Sequence, residues 1–196
     1  MSTEPTAPNV TAAALIEARR VLEAFCTAPA TIETVESWAL LLHRALAAGQ
    51  KILICGNGGS SCDAAHFAEE LTGRFRADRK PLAAIACNDA GHITCTANDY
   101  GFEHIYARWV AALGRPGDCL IVLSTSGNSP NIAGAIAAAR AGGLITIALL
   151  GKDGGALRGR ADHELIVPGS TSDRIQELHM LVLHILVEGI EARLGV

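Results

Sequence analysis

Along the first quarter of the chain, apolar residues recur at the three-to-four-residue spacing of helices with one buried face. Residues 10–26 place Ala13, Leu15, Ile16, Val21 and Phe25 near that spacing, and residues 31–48 repeat it with Ile32, Val35, Trp38, Leu41 and Leu42. Two helices are predicted, the second capped by Thr31. Position 34, where a capping box would carry Glu or Gln, holds Thr34. After Gly49 the pattern changes to short apolar runs separated by helical ones: KILIC (51–55), LAAIAC (82–87), CLIVLS (119–124), LITIALL (144–150) and ELIVP (164–168). Apolar residues at consecutive rather than alternate positions imply strands covered on both faces, as in a parallel sheet between helix layers. Helices are predicted over 60–73, about 101–113, 129–141 and 173–194, the last ending near Gly195. The expected class is α/β. A doubly wound, parallel, five-stranded sheet flanked by helices (50–196) follows an N-terminal helical pair (1–49) in a single domain.

Composition supports one core and narrows the partners. A chain of 196 residues that is 49% hydrophobic suffices for one domain and leaves little room for two. Sixteen basic residues against 20 acidic give a net charge of -4, with no basic run to follow a phosphate backbone, so nucleic acid is not expected as a direct ligand. No uncharged apolar stretch approaches the roughly 18 residues of a membrane span. The opening, MSTEPTAPNV, is polar and carries an acid where a secretion signal would place lysine and an apolar core. A cytoplasmic protein is expected. Disulfides are not expected among its six cysteines in that compartment, and the absence of a CxxC pair leaves no spacing for a cysteine-held zinc.

In an open parallel sheet, ligands bind outside the carboxyl ends of the strands, so the loops after the apolar runs are the places to read chemistry. Three stand out: Gly56-Asn57-Gly58-Gly59-Ser60-Ser61, Ser124-Thr125-Ser126-Gly127-Asn128-Ser129, and Gly169-Ser170-Thr171-Ser172-Asp173 before the last helix. Glycines expose backbone N–H groups, small hydroxyls add donors, and a helix amino terminus behind them favours an anion. The same residues also make ordinary turns and caps. The second loop is the most telling, because five of its six residues carry a side-chain donor and none is charged, which suits a phosphate or a sugar. The glycine loop fits neither nucleotide pattern. A dinucleotide fingerprint wants glycine at Ser61 and an acid at the end of the second strand, where Cys87 and Asn88 stand, and GK[ST] is absent.

His66 and Glu70, four apart on the helix after the glycine loop, project from one face, while Glu69 points about 100° away. On spacing alone such a pair is more often a solvated surface pair. In the last helix, Gln176, His179 and His184 interrupt an apolar face, and buried imidazoles need partners, whether a backbone carbonyl or a metal. His66, Glu70, Gln176 and His184 would supply two nitrogens and two oxygens, a set suited to zinc or a related divalent ion. Gln176 and His184, however, lie roughly 12 Å apart along an ideal helix axis. Either the helix is distorted at Gln176, or the two serve different sites, on neighbouring subunits if the protein assembles.

The segments GNGGSSCDAAHFAEELTGRF, ANDYGFEHIYAR, STSGNSPNI, LGKDGG and DRIQELHMLVLHILVEGIE together resemble bacterial phosphoheptose isomerases, from about residue 50 to the end. These enzymes have the sugar isomerase (SIS) fold. They convert sedoheptulose 7-phosphate to D-glycero-D-manno-heptose 7-phosphate, the first step of nucleotide-activated heptose biosynthesis. The resemblance implies a homotetramer with active sites between subunits and one zinc per subunit at His66, Glu70, Gln176 and His184. It implies substrate contacts at Asn57, Gly58, Gly59, Asn98, Asp99, Ser124, Thr125, Ser126, Ser129 and Gln176. Asp173 is a further candidate for holding sugar hydroxyls or else a cap residue, and Arg74, one turn beyond Glu70, either reaches the substrate or is a surface charge, the second reading being preferred. Following the family pattern, Glu70 is the expected base and His184 its partner acid, working through an enediol. The product would feed lipopolysaccharide, surface glycans or antibiotics. The alternative is a non-catalytic relative of the same fold, the initiator-associating SIS protein, whose similar tetramer binds the replication initiator DnaA.

Overall fold

The computed structural model describes residues 9–195, so the opening residues 1–8, read above as lacking a secretion signal, lie outside it. Five parallel strands, β1 (Ile52–Gly56), β2 (Ala84–Ala86), β3 (Cys119–Ser124), β4 (Ile145–Gly151) and β5 (His163–Val167), form one sheet in the order β2-β1-β3-β4-β5. The register sets Ile54 beside Ala86 on one side and Ile121 on the other. Among the described residues seven α-helices surround them: α1 (Val10–Cys26), α2 (Pro29–Ala47), α3 (Gly59–Thr72), α4 (Ala90–Tyr100), α5 (Ile105–Leu113), α6 (Pro130–Ala141) and α7 (Ser172–Leu194).

The continuous apolar runs do what their pattern demands. Ile52, Ile54, Ile121, Leu123, Ile147 and Leu149 point to one face and pack with α1, α2, α3 and α7, where Trp38 and Phe67 are almost wholly enclosed. Leu53, Cys55, Leu120, Val122, Ala148 and Leu150 point to the other, against Ile105, Trp109, Val110, Ile132 and Ile136 of α5 and α6. Each fully buried side chain of this size contributes about 1.5–3 kcal/mol, which makes the two layers the main source of stability. The strand order reverses between β1 and β3, and a crevice at such a switch point is where this architecture binds ligands. The glycine loop and the STSGNS loop flank it.

Three sequence expectations need correction. Helix α2 begins at Pro29 rather than 31, with Ala28 as its cap and Thr31 buried inside it. Proline fits the first helical position because its missing N–H would be unpaired there anyway. Helix α4 was not foreseen. It is capped by Asp89, whose carboxylate accepts from His92 N, and it buries only Thr96, so it carries no apolar rhythm. The helix expected from about 101 starts at Ile105. Gly101 at φ 96° and a short 3-10 turn, Phe102–His104, separate it from α4.

Candidate active site

Helices α3 and α7 lie side by side and run in the same direction, which brings three chemically potent side chains together. Glu70 Oε1 stands 3.2 Å from His66 Nε2 and 3.4 Å from His184 Nε2, while Glu69, 66% exposed, is 3.9 Å from His66. The two imidazoles meet edge-on at 5.2 Å, and Phe75 stacks against His184 at 5.9 Å. Glu70 is buried, and its Oε2 has no hydrogen-bond partner. A buried carboxylate oxygen without a partner costs free energy unless a cation or ligand completes it.

The donor set fits a divalent metal. One atom from each of His66, Glu70 and His184 lies within 4.8 Å of the others. Two imidazole nitrogens and a carboxylate oxygen are the ligand types zinc takes when a fourth position is left open. Gln176 is elsewhere. Helix α7 is regular from Ser172, so the helix is not distorted there, and Gln176 Nε2 lies 3.4 Å from Ser60 Oγ in the first turn of α3. A Cβ on Gly59 would come 2.7 Å from that same amide nitrogen, so a larger residue there would displace the Gln176 amide. This chain therefore joins His66, Glu70 and His184 and leaves Gln176 at the glycine loop.

The glycine loop enters α3 through Gly58 at φ 57°, with no side chain capping the helix. Asn57 is held from below. Its amide and that of Asn131, the second residue of α6, exchange hydrogen bonds at 2.9 and 2.8 Å, and Tyr106 Oη donates to Gly56 O at 2.5 Å.

Across the crevice, the STSGNS loop is shaped by its own hydroxyls. Ser124 Oγ accepts from Gly127 N at 3.1 Å, Ser126 Oγ accepts from Asn128 N at 3.2 Å, and Thr125 and Ser172 pair through their hydroxyls at 3.0 Å. Gly127 adopts φ 66° so close to the next loop that a Cβ would sit 2.1 Å from Gly154 O. Alanine there would collide with backbone. Ser129 occupies the cap position of α6 but makes no capping hydrogen bond, which leaves its hydroxyl and the amino end of the helix for an anion.

Other expected contacts lie further out. Asn98 and Asp99 are on the exposed last turn of α4, bonded to each other at 2.7 Å, and no hydrogen bond among the described residues ties them to either loop. Asp173 is exposed in the first turn of α7. Hydrogen bonds from Thr171 and Arg174 hold its carboxyl below the usual range. Arg74 is exposed, as read from the sequence. Asn131, Tyr106 and Phe75, which support the loop and the imidazole, escaped the sequence reading. No local spacing marks them, because their partners lie on other elements.

The sheet order, the hydroxyl-rich loops at the switch point and the imidazole–carboxylate cluster define a sugar-isomerase type of domain, and the SIS domain family model matches residues 15–151. The chain is 52% identical over 178 residues to the phosphoheptose isomerase of Proteus mirabilis, covering 90% of this chain and 93% of that one. A shorter alignment to the Fusobacterium nucleatum phosphoheptose isomerase reaches 61% over 143 residues, 73% of this chain and 74% of the relative. The solved phosphoheptose isomerase of Francisella tularensis superposes with a TM-score of 0.89 at 37% identity, covering 95% of this chain and 98% of that one. That of Neisseria gonorrhoeae gives 0.86 at 39%, covering 93% and 97%. The chain belongs to the phosphoheptose isomerase family.

Proposed function

We propose that this chain is an aldose–ketose isomerase that interconverts sedoheptulose 7-phosphate and D-glycero-D-manno-heptose 7-phosphate, opening a route to nucleotide-activated heptoses. The observation that carries the reading is Glu70, buried between two imidazoles, in a chain half identical over nearly its whole length to a phosphoheptose isomerase.

Moving a carbonyl from C2 to C1 needs a base at the C1 proton, an enediol, and return of a proton at C2. Glu70 takes the proton, its buried Oε2 having no other hydrogen-bond partner. His184, 3.4 Å from Glu70 Oε1 and stacked on Phe75, protonates the C2 oxygen as it becomes a hydroxyl and takes up the proton that the C1 oxygen releases, while Glu70 returns its proton to C2. Ser124, Thr125, Ser126 and Ser129 bind the phosphate at the amino end of α6, and Asn57, Gly58 and Gly59 bind the sugar end from the facing loop. Asn98, Asp99 and Asp173 contact sugar hydroxyls once a neighbouring subunit closes the site. His66, Glu70 and His184 would hold zinc, with Gln176 of a neighbouring subunit as fourth donor. Bound there, it supplies Lewis-acid polarisation of the carbonyl.

A homotetramer in the cytoplasm completes the reading. Its support is the apolar face that α1 and α2 leave uncovered, with Val10, Leu15, Ile16 and Ile32 each exposed by more than half. The initiator-binding alternative gives the Glu70 cluster nothing to do. The test is to incubate the purified chain with sedoheptulose 7-phosphate, with and without a chelator followed by zinc, and follow the aldoheptose 7-phosphate by NMR. Product lost on chelation and restored by zinc supports both enzyme and metal. Absence of product from a folded, zinc-loaded protein overturns the isomerase.

A further inference from the structure

We propose that Asn131 and Tyr106 are positioning residues: a buried strut that fixes the glycine loop relative to the amino end of α6, and so sets the reach between the sugar and phosphate ends of the crevice. The inference rests on the isomerase reading and adds two residues to it.

The strut is built from reciprocal hydrogen bonds. Asn57 Nδ2 donates to Asn131 Oδ1 at 2.9 Å, and Asn57 Oδ1 accepts from Asn131 Nδ2 at 2.8 Å. Asn131 Oδ1 also accepts from the Ile132 N–H at 3.0 Å. The phenol oxygen of Tyr106 lies 2.5 Å from Gly56 O and 3.2 Å from Asn57 Oδ1, so its single hydrogen goes mainly to the nearer carbonyl. Asn131 is 1% exposed and Tyr106 2%. A buried, mutually bonded network of this kind rigidifies what it joins, and removing one member leaves the others unpaired.

What it joins is the functional crevice. Asn57 directly precedes Gly58 and Gly59 at the entry to α3, and Asn131 follows Ser129 and Pro130 at the entry to α6. Strands β1 and β3, which feed these loops, are neighbours at the switch point. The pair lines a cavity of about 190 Å³ that Ser129, Phe102 and Glu103 also line. Because the Asn57 amide is consumed in the strut, with one N–H left over, Asn57 serves a ligand chiefly through the backbone it holds. A substrate gripped at both loops senses the spacing between them. Misplacing the reacting end by about an ångström is enough to cost ~100-fold in rate.

The test is steady-state kinetics on sedoheptulose 7-phosphate with the full-length chain and the N131A and Y106F variants, alongside their melting temperatures. Positioning predicts that kcat falls about 10–100-fold in N131A and a few-fold in Y106F, while KM stays within about threefold. A merely structural role lowers the melting temperature and leaves kcat per folded enzyme unchanged, which overturns the proposal. So does a rise in KM at constant kcat, the sign of simple ground-state binding. Y106F removes only a hydroxyl, and it decides the question alone if N131A does not fold. No turnover by the wild-type chain overturns the isomerase reading itself, an outcome separate from any change in the variants' kcat.

Discussion

Glu70 and His184 meet at 3.4 Å although they come from opposite ends of the sheet domain, and nothing but the parallel packing of α3 on α7 brings them together. The contact puts Glu70 at the centre of the proposed chemistry. Glu70→Gln keeps the shape and removes the base, so turnover of sedoheptulose 7-phosphate should fall by at least about 10²–10⁴-fold, the range general-base catalysis supplies. Far-UV circular dichroism and the oligomeric state should be unchanged. A variant with wild-type rate would remove Glu70 from the mechanism.

Metal should couple to stability as well as to turnover. A ligand bound only by the folded chain stabilises it by about 2.7 kcal/mol at a free concentration 100 times its Kd. Chelation should therefore lower the melting temperature together with turnover, and zinc should restore both. His66→Ala should raise the zinc concentration needed for either recovery, as read by a zinc titration of the melting temperature. A melting temperature indifferent to chelator and zinc would separate the cluster from metal binding.

Much of this was legible in the sequence because the physics was local. Continuous apolar runs named all five strands, and the spacing of His66 and Glu70 put both on one helix face. The eight-residue gap from Gln176 to His184 already implied that they could not easily share one ion, and the regular helix α7 holds Gln176 at Ser60 instead. What stayed hidden depends on elements meeting. Helix α4 buries only Thr96, so no rhythm announced it. The amide pair of Asn57 and Asn131 exists because β1 and β3 are neighbours, a fact of strand order that no spacing encodes.

Beneath the site, Arg79 ties α3 to α7. Its Nε donates to Glu191 Oε1 at 2.8 Å, Nη1 to Leu71 O at 2.8 Å and Nη2 to Glu70 O at 2.6 Å, with the two charged side chains 3% and 5% exposed. The guanidinium thus caps carbonyls that the end of α3 would otherwise leave unpaired. Arg79→Met strips all these donors and strands a buried carboxylate, which should cost about 3–5 kcal/mol. Glu191→Gln keeps an acceptor and should cost less. Urea unfolding of both variants checks the order, and equal midpoints would show that the carbonyl cap contributes nothing beyond the ion pair.

His179 should make the chain acid-labile. It is wholly enclosed in α7, neither ring nitrogen has a well-formed hydrogen bond, and burial pushes its pKa down from 6.5 to about 4, the Leu150 backbone offsetting this only partly. The folded state therefore prefers the neutral ring, whereas the unfolded chain takes up a proton near its ordinary value. Stability from this residue is complete above pH 6.5 and is lost as pH falls from there to about 4. A depression of this size corresponds to about 3 kcal/mol. Urea unfolding of the wild type and of His179→Leu at several pH values from 7.5 to about 4 isolates the contribution. The difference between the two proteins should shift toward the variant as the solution is acidified. A difference that stays constant over that window would mean the ring finds a proton acceptor in the folded chain and titrates normally.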